Sequence, residues 1–203
     1  MSSRLVVNSV RHTGASADGI TLDASGNVTF PANATCSGTA TGFGKILQVV
    51  SQAKTDTASQ SLATQTWWSY TDTSLRVTLT PSSASNKILL IAQIMWSEGS
   101  GQWYQFKFER DGADITGTIG DAAGSRFRST AQQDNQTDNN GGRTMTMIAQ
   151  VSAADTNSRY YNIALRHTSG ITRTMYLNRT ATDSDNHGYS RGISTITAIE
   201  IAA

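Results

Sequence analysis

The stretch Gly19-Ile20-Thr21-Leu22-Asp23-Ala24-Ser25-Gly26-Asn27-Val28-Thr29-Phe30-Pro31 constrains this chain more than any other. It reads as two very short strands with alternating apolar residues. Asp, Ser, Gly and Asn join them, residues that bond locally or accept positive φ. Residues 32–44 follow as a run of almost only small side chains without apolar periodicity. A hairpin this short is marginal alone in water. The large apolar residues of the first 44 positions are Leu5, Val6, Val7, Val10, Ile20, Leu22, Val28, Phe30 and Phe43. They are too few to offset the entropy of ordering that length of chain. The segment is therefore expected to be ordered only against another chain or a large body.

From Lys45 the character changes. Lys45 to Val50 is a strand candidate, followed by a polar stretch through Gln60. Trp67, Trp68 and Tyr70 come next, then Leu75, Val77 and Leu79 in alternation, closed by Pro81. The nearly continuous apolar run from Lys87 to Trp96 is Ile-rich and bounded by Ser- and Gly-rich segments, which predicts a central strand buried on both faces. Trp103 to Arg110 alternates, with Tyr104, Phe106 and Phe108 on one face, and Asp111-Gly112 turns the chain. Residues 117–142 carry no apolar periodicity and read as one or more loops. Thr144 to Val151, Tyr160 to Arg166, Thr174 to Asn178 and Ile193 to Ile201 complete a set of about eight strands. The fold expected is all-β. A short hairpin and extended stem (1–44) precede an antiparallel jelly-roll-like β-sandwich head (45–203).

Charged residues make up only 15% of the chain and the formal net charge is +1, so no long-range field draws it to nucleic acid or to a membrane. No run approaches membrane-spanning length, and the opening residues lack a charged segment followed by an apolar core, so neither membrane insertion nor export is expected. Cys36 is the single cysteine, which excludes an intrachain disulfide and reads as a small packed residue. Four tripeptides fit the glycosylation pattern, at Asn27, Asn33, Asn135 and Asn178, and are expected by chance in a chain this rich in Asn and Thr.

Catalytic chemistry finds little footing. His12, His167 and His187 lie far apart, each without a Cys or Glu at metal spacing, and His167 reads as a turn or surface residue. Asp183, Asp185, Asn186 and His187 form a cluster that could hold Ca²⁺, with Gly188 sixth in the loop, but Ser194 stands where the twelfth position needs an acid. A solvated loop is the better reading. Gly38 to Lys45 has the wrong glycine spacing for a phosphate loop. No nucleophile elbow and no pair of carboxylates in contrasting environments occurs. No enzyme activity, cofactor or metal is expected. Trp67, Trp68, Trp103, Arg126, Arg128, His187 and Tyr189 remain as candidate receptor or interface residues. Adjacent Trp67 and Trp68 must point to opposite faces if extended, so one of them reaches a surface or a neighbouring subunit.

Leu5 to His12, with Gly19 to Asp23 and Gly26 to Pro31, resembles the N-terminal portion of tail-fibre and related virion proteins of bacteriophages, especially those of marine bacteria and cyanobacteria. Lys45 to Val49, Pro81 to Leu89, Gly120 to Arg126 and Tyr176 to Thr180 resemble a globular module at the ends of such fibres. The resemblance implies a homotrimer on the virion, on the tail rather than the capsid. Its residues 1–44 attach to other virion proteins, and its head binds a host-surface glycan or protein through residues 117–142 and 181–192. The alternative is a capsid decoration or cement protein without receptor binding.

Overall fold

A computed structural model describes residues 6–30, 46–70, 72–99, 102–134 and 141–203. The run of small residues at 32–44, Cys36, the phosphate-loop look-alike and the tripeptides at Asn33 and Asn135 lie outside the described residues. The chain divides into two units, Met1–Gly44 and Lys45–Ala203.

In the first unit, β1 (Ser9–Val10), β2 (Ile20–Leu22) and β3 (Val28–Thr29) form an antiparallel sheet. The turn between β2 and β3 is built by Asp23, whose Oδ1 accepts from the amides of Ser25 and Asn27 at 2.9 and 2.8 Å. Gly26 supplies the positive φ of 85° that the turn requires. Among the described residues 6–30 none is buried. Val10, Leu22, Val28 and Phe30 all face solvent, so the described residues of this unit have strand pairing without a core among themselves.

The second unit holds twelve strands in two six-stranded antiparallel sheets. In chain order they are β4 (Ile46–Lys54), β5 (Ala58–Leu62), β6 (Trp68–Tyr70), β7 (Val77–Leu79), β8 (Lys87–Ser97), β9 (Trp103–Arg110), β10 (Ala113–Asp114), β11 (Ala131–Asp134), β12 (Arg143–Ser152), β13 (Arg159–His167), β14 (Arg173–Leu177) and β15 (Ser194–Ile201). No α-helix occurs among the described residues, and none is long and apolar enough to cross a membrane.

Register compresses the twelve strands into eight lanes. Trp96 of β8 faces Arg143 of β12 on one side and Leu177 of β14 on the other, while Gln93 faces Thr146 and Thr195. Strands β14 and β15 therefore lie end to end along one side of β8, and β5 and β4 lie end to end beyond them. The same reasoning places β10 and β11 along one edge of β9, and β6 and β7 along one edge of β13. One sheet runs β12, β8, β15 with β14, then β4 with β5. The other runs β10 with β11, β9, β13, then β6 with β7.

The inner faces meet in one hydrophobic core. Ile88, Leu90, Ala92, Ile94 and Trp96 alternate along β8, and Tyr104, Phe106 and Phe108 along β9, all buried. Trp96 lies 4.4 Å from Tyr104 and 5.3 Å from Phe106 between ring centroids. Asp111 and Gly112 take positive φ (53° and 75°) in the β9–β10 turn, the backbone a two-residue hairpin loop requires.

Three expectations need correcting. The polar stretch through Gln60 contains the end of β4 and most of β5, an edge strand whose pattern of Ser and Gln carries no apolar alternation. Leu75 ends a short 3₁₀ turn, Thr73–Leu75, capped by Asp72, so the strand begins only at Val77. The central strand β8 is fully buried on its inner face only, and Gln93 on its outer face is exposed.

Candidate functional site on the outer faces of the two sheets

The two sheets present opposite kinds of outer surface. On β9 and β13 the central outward positions, Gln105, Lys107, Glu109, Asn162, Ala164 and Arg166, are all buried. A polar layer under cover must pair its groups or lose stability. Lys107 Nζ lies 3.2 Å from Glu109 and is also paired with Asp114, while Asn162 Nδ2 donates to Glu109 at 3.0 Å and Ser69 also bonds that carboxylate.

Arg166 breaks the pattern. Its guanidinium is fully buried, and Nε, Nη1 and Nη2 have no hydrogen-bond partner. Two rings cover it: Cζ lies 3.4 Å from the centroid of Phe127 and 5.4 Å from that of Trp67. Cation–π attraction offsets part of the lost hydration, and burial pushes the guanidinium's pKa below its ordinary value. Neighbouring acceptors are unpaired too: Gln105 Oε1, on the residue facing Arg166 across the β9–β13 ladder, and Thr168 Oγ1, two residues on.

Trp67 thus lies outside, over Lys107 at 4.3 Å and Arg166, whereas Trp68 packs against the core and meets Tyr70 edge-on at 5.4 Å. Arg126 is exposed beside Phe127, and Arg128 Nε donates to the Gly120 carbonyl at 2.5 Å, bracing the same loop. The structure therefore brings Trp67 and the 126–128 segment to one place, around Arg166. Trp103 is 57% exposed at the start of β9, where it pairs with Asp134 of β11.

His187 and Tyr189 sit in a separate loop. There Asp183 accepts from Arg179 at 2.9 Å and from Arg191 at 2.7 Å, and these two bonds hold its carboxyl below the usual range. Both oxygens are occupied by arginines, and no group of three or more His, Cys, Asp or Glu among the described residues is placed to hold a metal. His187 is exposed and Tyr189 half-buried. His167 overturns its surface reading: it is fully buried, its Nδ1 accepts from the Ser169 amide at 3.1 Å and its Nε2 lies 3.1 Å from the Leu62 carbonyl.

Much of the outer face of the other sheet is bare, although Met95 and Ser97 toward the end of β8 are covered. Val49, Ile199, Leu89 and Gln150 form one row across four lanes, and Ser51, Thr197, Ile91 and Ile148 the next. Leu47, Val49 and Ile148 are 50%, 57% and 63% exposed. Across β4, β15, β8 and β12, Lys87 is the single charged residue on this face, at the end of β8 with its Nζ bonded to Ser152.

Sequence reasoning missed Phe127 and Arg166. A lone large aromatic inside the polar tract 117–142 was the available signal for Phe127, because such a ring needs something to cover. Arg166, at an outward strand position, carried the pattern of an ordinary solvated residue. No protein-family model matches the chain, and no curated protein matches it.

Proposed function

We propose that this chain is a virion structural protein of a bacteriophage, a homotrimeric tail fibre whose head binds the host cell surface. The observation that carries the reading is the exposed outer face of the β4–β15–β8–β12 sheet, where Leu47, Val49 and Ile148 face solvent and Lys87 is the single charge. Four lanes about 4.8 Å apart, over the stretch where β15 pairs with β8 at about 3.4 Å per residue, give a face of roughly 450 Å², over half of the ~800 Å² per partner of a standard interface. Where copies of one face converge on a symmetry axis a charged row confronts its own sign, while the ring contacts of a trimer join two different patches head to tail. A face whose single charge is Lys87, at the end of β8, enters either arrangement at little such cost. The threefold number comes from the resemblance to tail-fibre proteins.

The first unit supports the same reading. Its described residues bury nothing, and sister copies or the particle would cover Val10, Leu22, Val28 and Phe30. The second unit fits a jelly roll. Numbered as lanes along the chain, one sheet takes the first, eighth, third and sixth, and the other the second, seventh, fourth and fifth. Two successive Greek keys generate that order. Assembly through the bare face leaves the surface with Trp67, Arg126, Phe127 and Arg128 free for the host.

Light scattering on the purified chain tests the assembly. The wild type is expected to be a trimer, and Val49→Asp combined with Ile148→Asp a folded monomer. A monomeric wild type at micromolar concentration overturns the reading. Antibody labelling of intact particles then separates a tail fibre from a capsid decoration protein, which labels capsid faces.

A further inference from the structure

The surface left outward by that assembly carries a cation without a counterion. Lys107, in the same layer, has Glu109 and Asp114. Among the described residues Arg166 has no acid and no hydrogen-bond acceptor, although a guanidinium presents five donors in a fixed fork. Removing the partner of a buried charge is strongly destabilising, so folds seldom keep such a group unless something else pairs it.

We propose that Arg166 is the base of an oxyanion subsite that takes the carboxylate of an acidic saccharide. The inference rests on the host-binding reading for the saccharide, and on geometry alone for the anion. One unpaired guanidinium matches one singly charged, planar carboxylate through two parallel hydrogen bonds. Gln105 Oε1, on the residue facing Arg166, and Thr168 Oγ1, two residues beyond it, are buried acceptors without a partner among the described residues and would take hydroxyl donors of the ligand. The Trp67 ring, 5.4 Å from the guanidinium, supplies an apolar face for the sugar ring.

Access requires the Phe127 ring, which covers the guanidinium at 3.4 Å, to turn away. The loop that carries it is pinned at its base, where Gly120 N donates to the Ser129 carbonyl at 3.2 Å and Thr130 N to that of Phe106 at 2.8 Å. A half-exposed side chain can change rotamer on the fast timescale of surface residues while that base stays closed.

Isothermal titration of the full chain with sodium glucuronate, sodium acetate, sodium phosphate and glucose, at matched ionic strength, tests the subsite. Saturable glucuronate binding is expected, at least tenfold tighter than acetate, with no response to glucose. Arg166→Lys keeps the charge but loses the fork and should weaken glucuronate at least tenfold. Glucuronate no tighter than acetate overturns the saccharide assignment, and tighter phosphate overturns the carboxylate. No saturable binding, or binding unchanged in Arg166→Lys, overturns the subsite. Should Arg166→Lys fail to fold, wild-type crystals soaked in glucuronate decide: the carboxylate lies on the Arg166 nitrogens, or its absence there refutes the site. None of these measurements depends on oligomeric state, so failure here leaves the trimer reading standing, and a monomer by light scattering leaves the anion result standing.

Discussion

Asn86 Nδ2 donates to Glu200 Oε1 at 2.6 Å, tying the residue before β8 to the last turn of β15. Glu200 is fully buried, yet Ser82 N and Oγ donate to the same oxygen at 2.7 and 2.8 Å, and Gln48 Nε2 to the other at 2.5 Å. Burial pushes its pKa up, and the bonds from Gln48, Asn86 and Ser82 together outweigh that, bringing it from 4.5 down to about 2. The folded-state value lies below the unfolded one, so the stabilisation is complete above pH 4.5 and disappears as pH falls through about 2. Glu200→Gln should cost about 1.5–3 kcal/mol at pH 7 and flatten the acid limb of a stability–pH curve. Urea melts at pH 7, 4 and 3 check it; an unchanged acid limb in the variant would assign that limb to other carboxylates.

Asn178 closes the end of β14 by a different device. It sits at φ 60°, and its Nδ2 donates to the carbonyls of Lys54 and Asp56 at 2.8 and 2.9 Å while Oδ1 accepts from Ser194 at 2.6 Å. The two contributions separate by substitution. Asn178→Gly keeps the left-handed backbone and loses the side-chain bonds, about 1 kcal/mol each. Asn178→Ala also strains the backbone, by roughly 1–2 kcal/mol more. Chemical denaturation should therefore rank Ala below Gly below wild type, and equal losses would show that the backbone conformation costs nothing.

Trp96 joins the sheets through both Tyr104 and Phe106. Trp96→Ala should cost about 3–5 kcal/mol, the range for a large aromatic deleted from a packed core. Trp96→Phe refills most of that volume and forfeits the bond from Nε1 to Gln133 at 3.3 Å, so it should cost less than half as much. Midpoints in guanidinium at constant slope measure both, and a small loss in the alanine variant would mean the core closes over the gap.

What the sequence disclosed follows from where packing speaks locally. Strands β8, β9, β12, β13 and β15 were legible because each buries an alternating face, and Asp111-Gly112 and Asp23 to Asn27 were legible as turns because few residues accept their backbone. Strand β5 was not, since an edge strand of Ser and Gln is held by ladder bonds to β14, which any residue but proline can make. The candidate site was legible only in fragments. Trp67, Arg126 and Arg128 could be singled out as exposed-type residues in a loop or strand end, but the convergence of Trp67 and the loop between the two arginines on Arg166 depends on which lane lies beside which. His167 was misread for the same reason: its partner, the Leu62 carbonyl, comes from the other sheet, more than a hundred residues away in sequence.

The Asp183 clamp makes the last test, because it separates a built loop from a loose one. Arg179 and Arg191 approach one carboxylate from both ends of the segment that carries His187 and Tyr189, and Gly192 N donates to the Asn178 carbonyl at 3.2 Å. The carboxyl is held below its usual range, so the clamp persists in mild acid and opens only as pH falls under the ordinary Asp value. Asp183→Asn removes the charge while keeping the shape. Amide hydrogen exchange between residues 182 and 192 should then accelerate severalfold, with β8 and β9 unchanged. High salt should produce a weaker version of the same change in the wild type, since the pair is exposed to solvent. Equal exchange in variant and wild type would mean that turn bonds such as Gly188 N to Asn186 Oδ1, at 2.9 Å, hold the loop without the ion pairs.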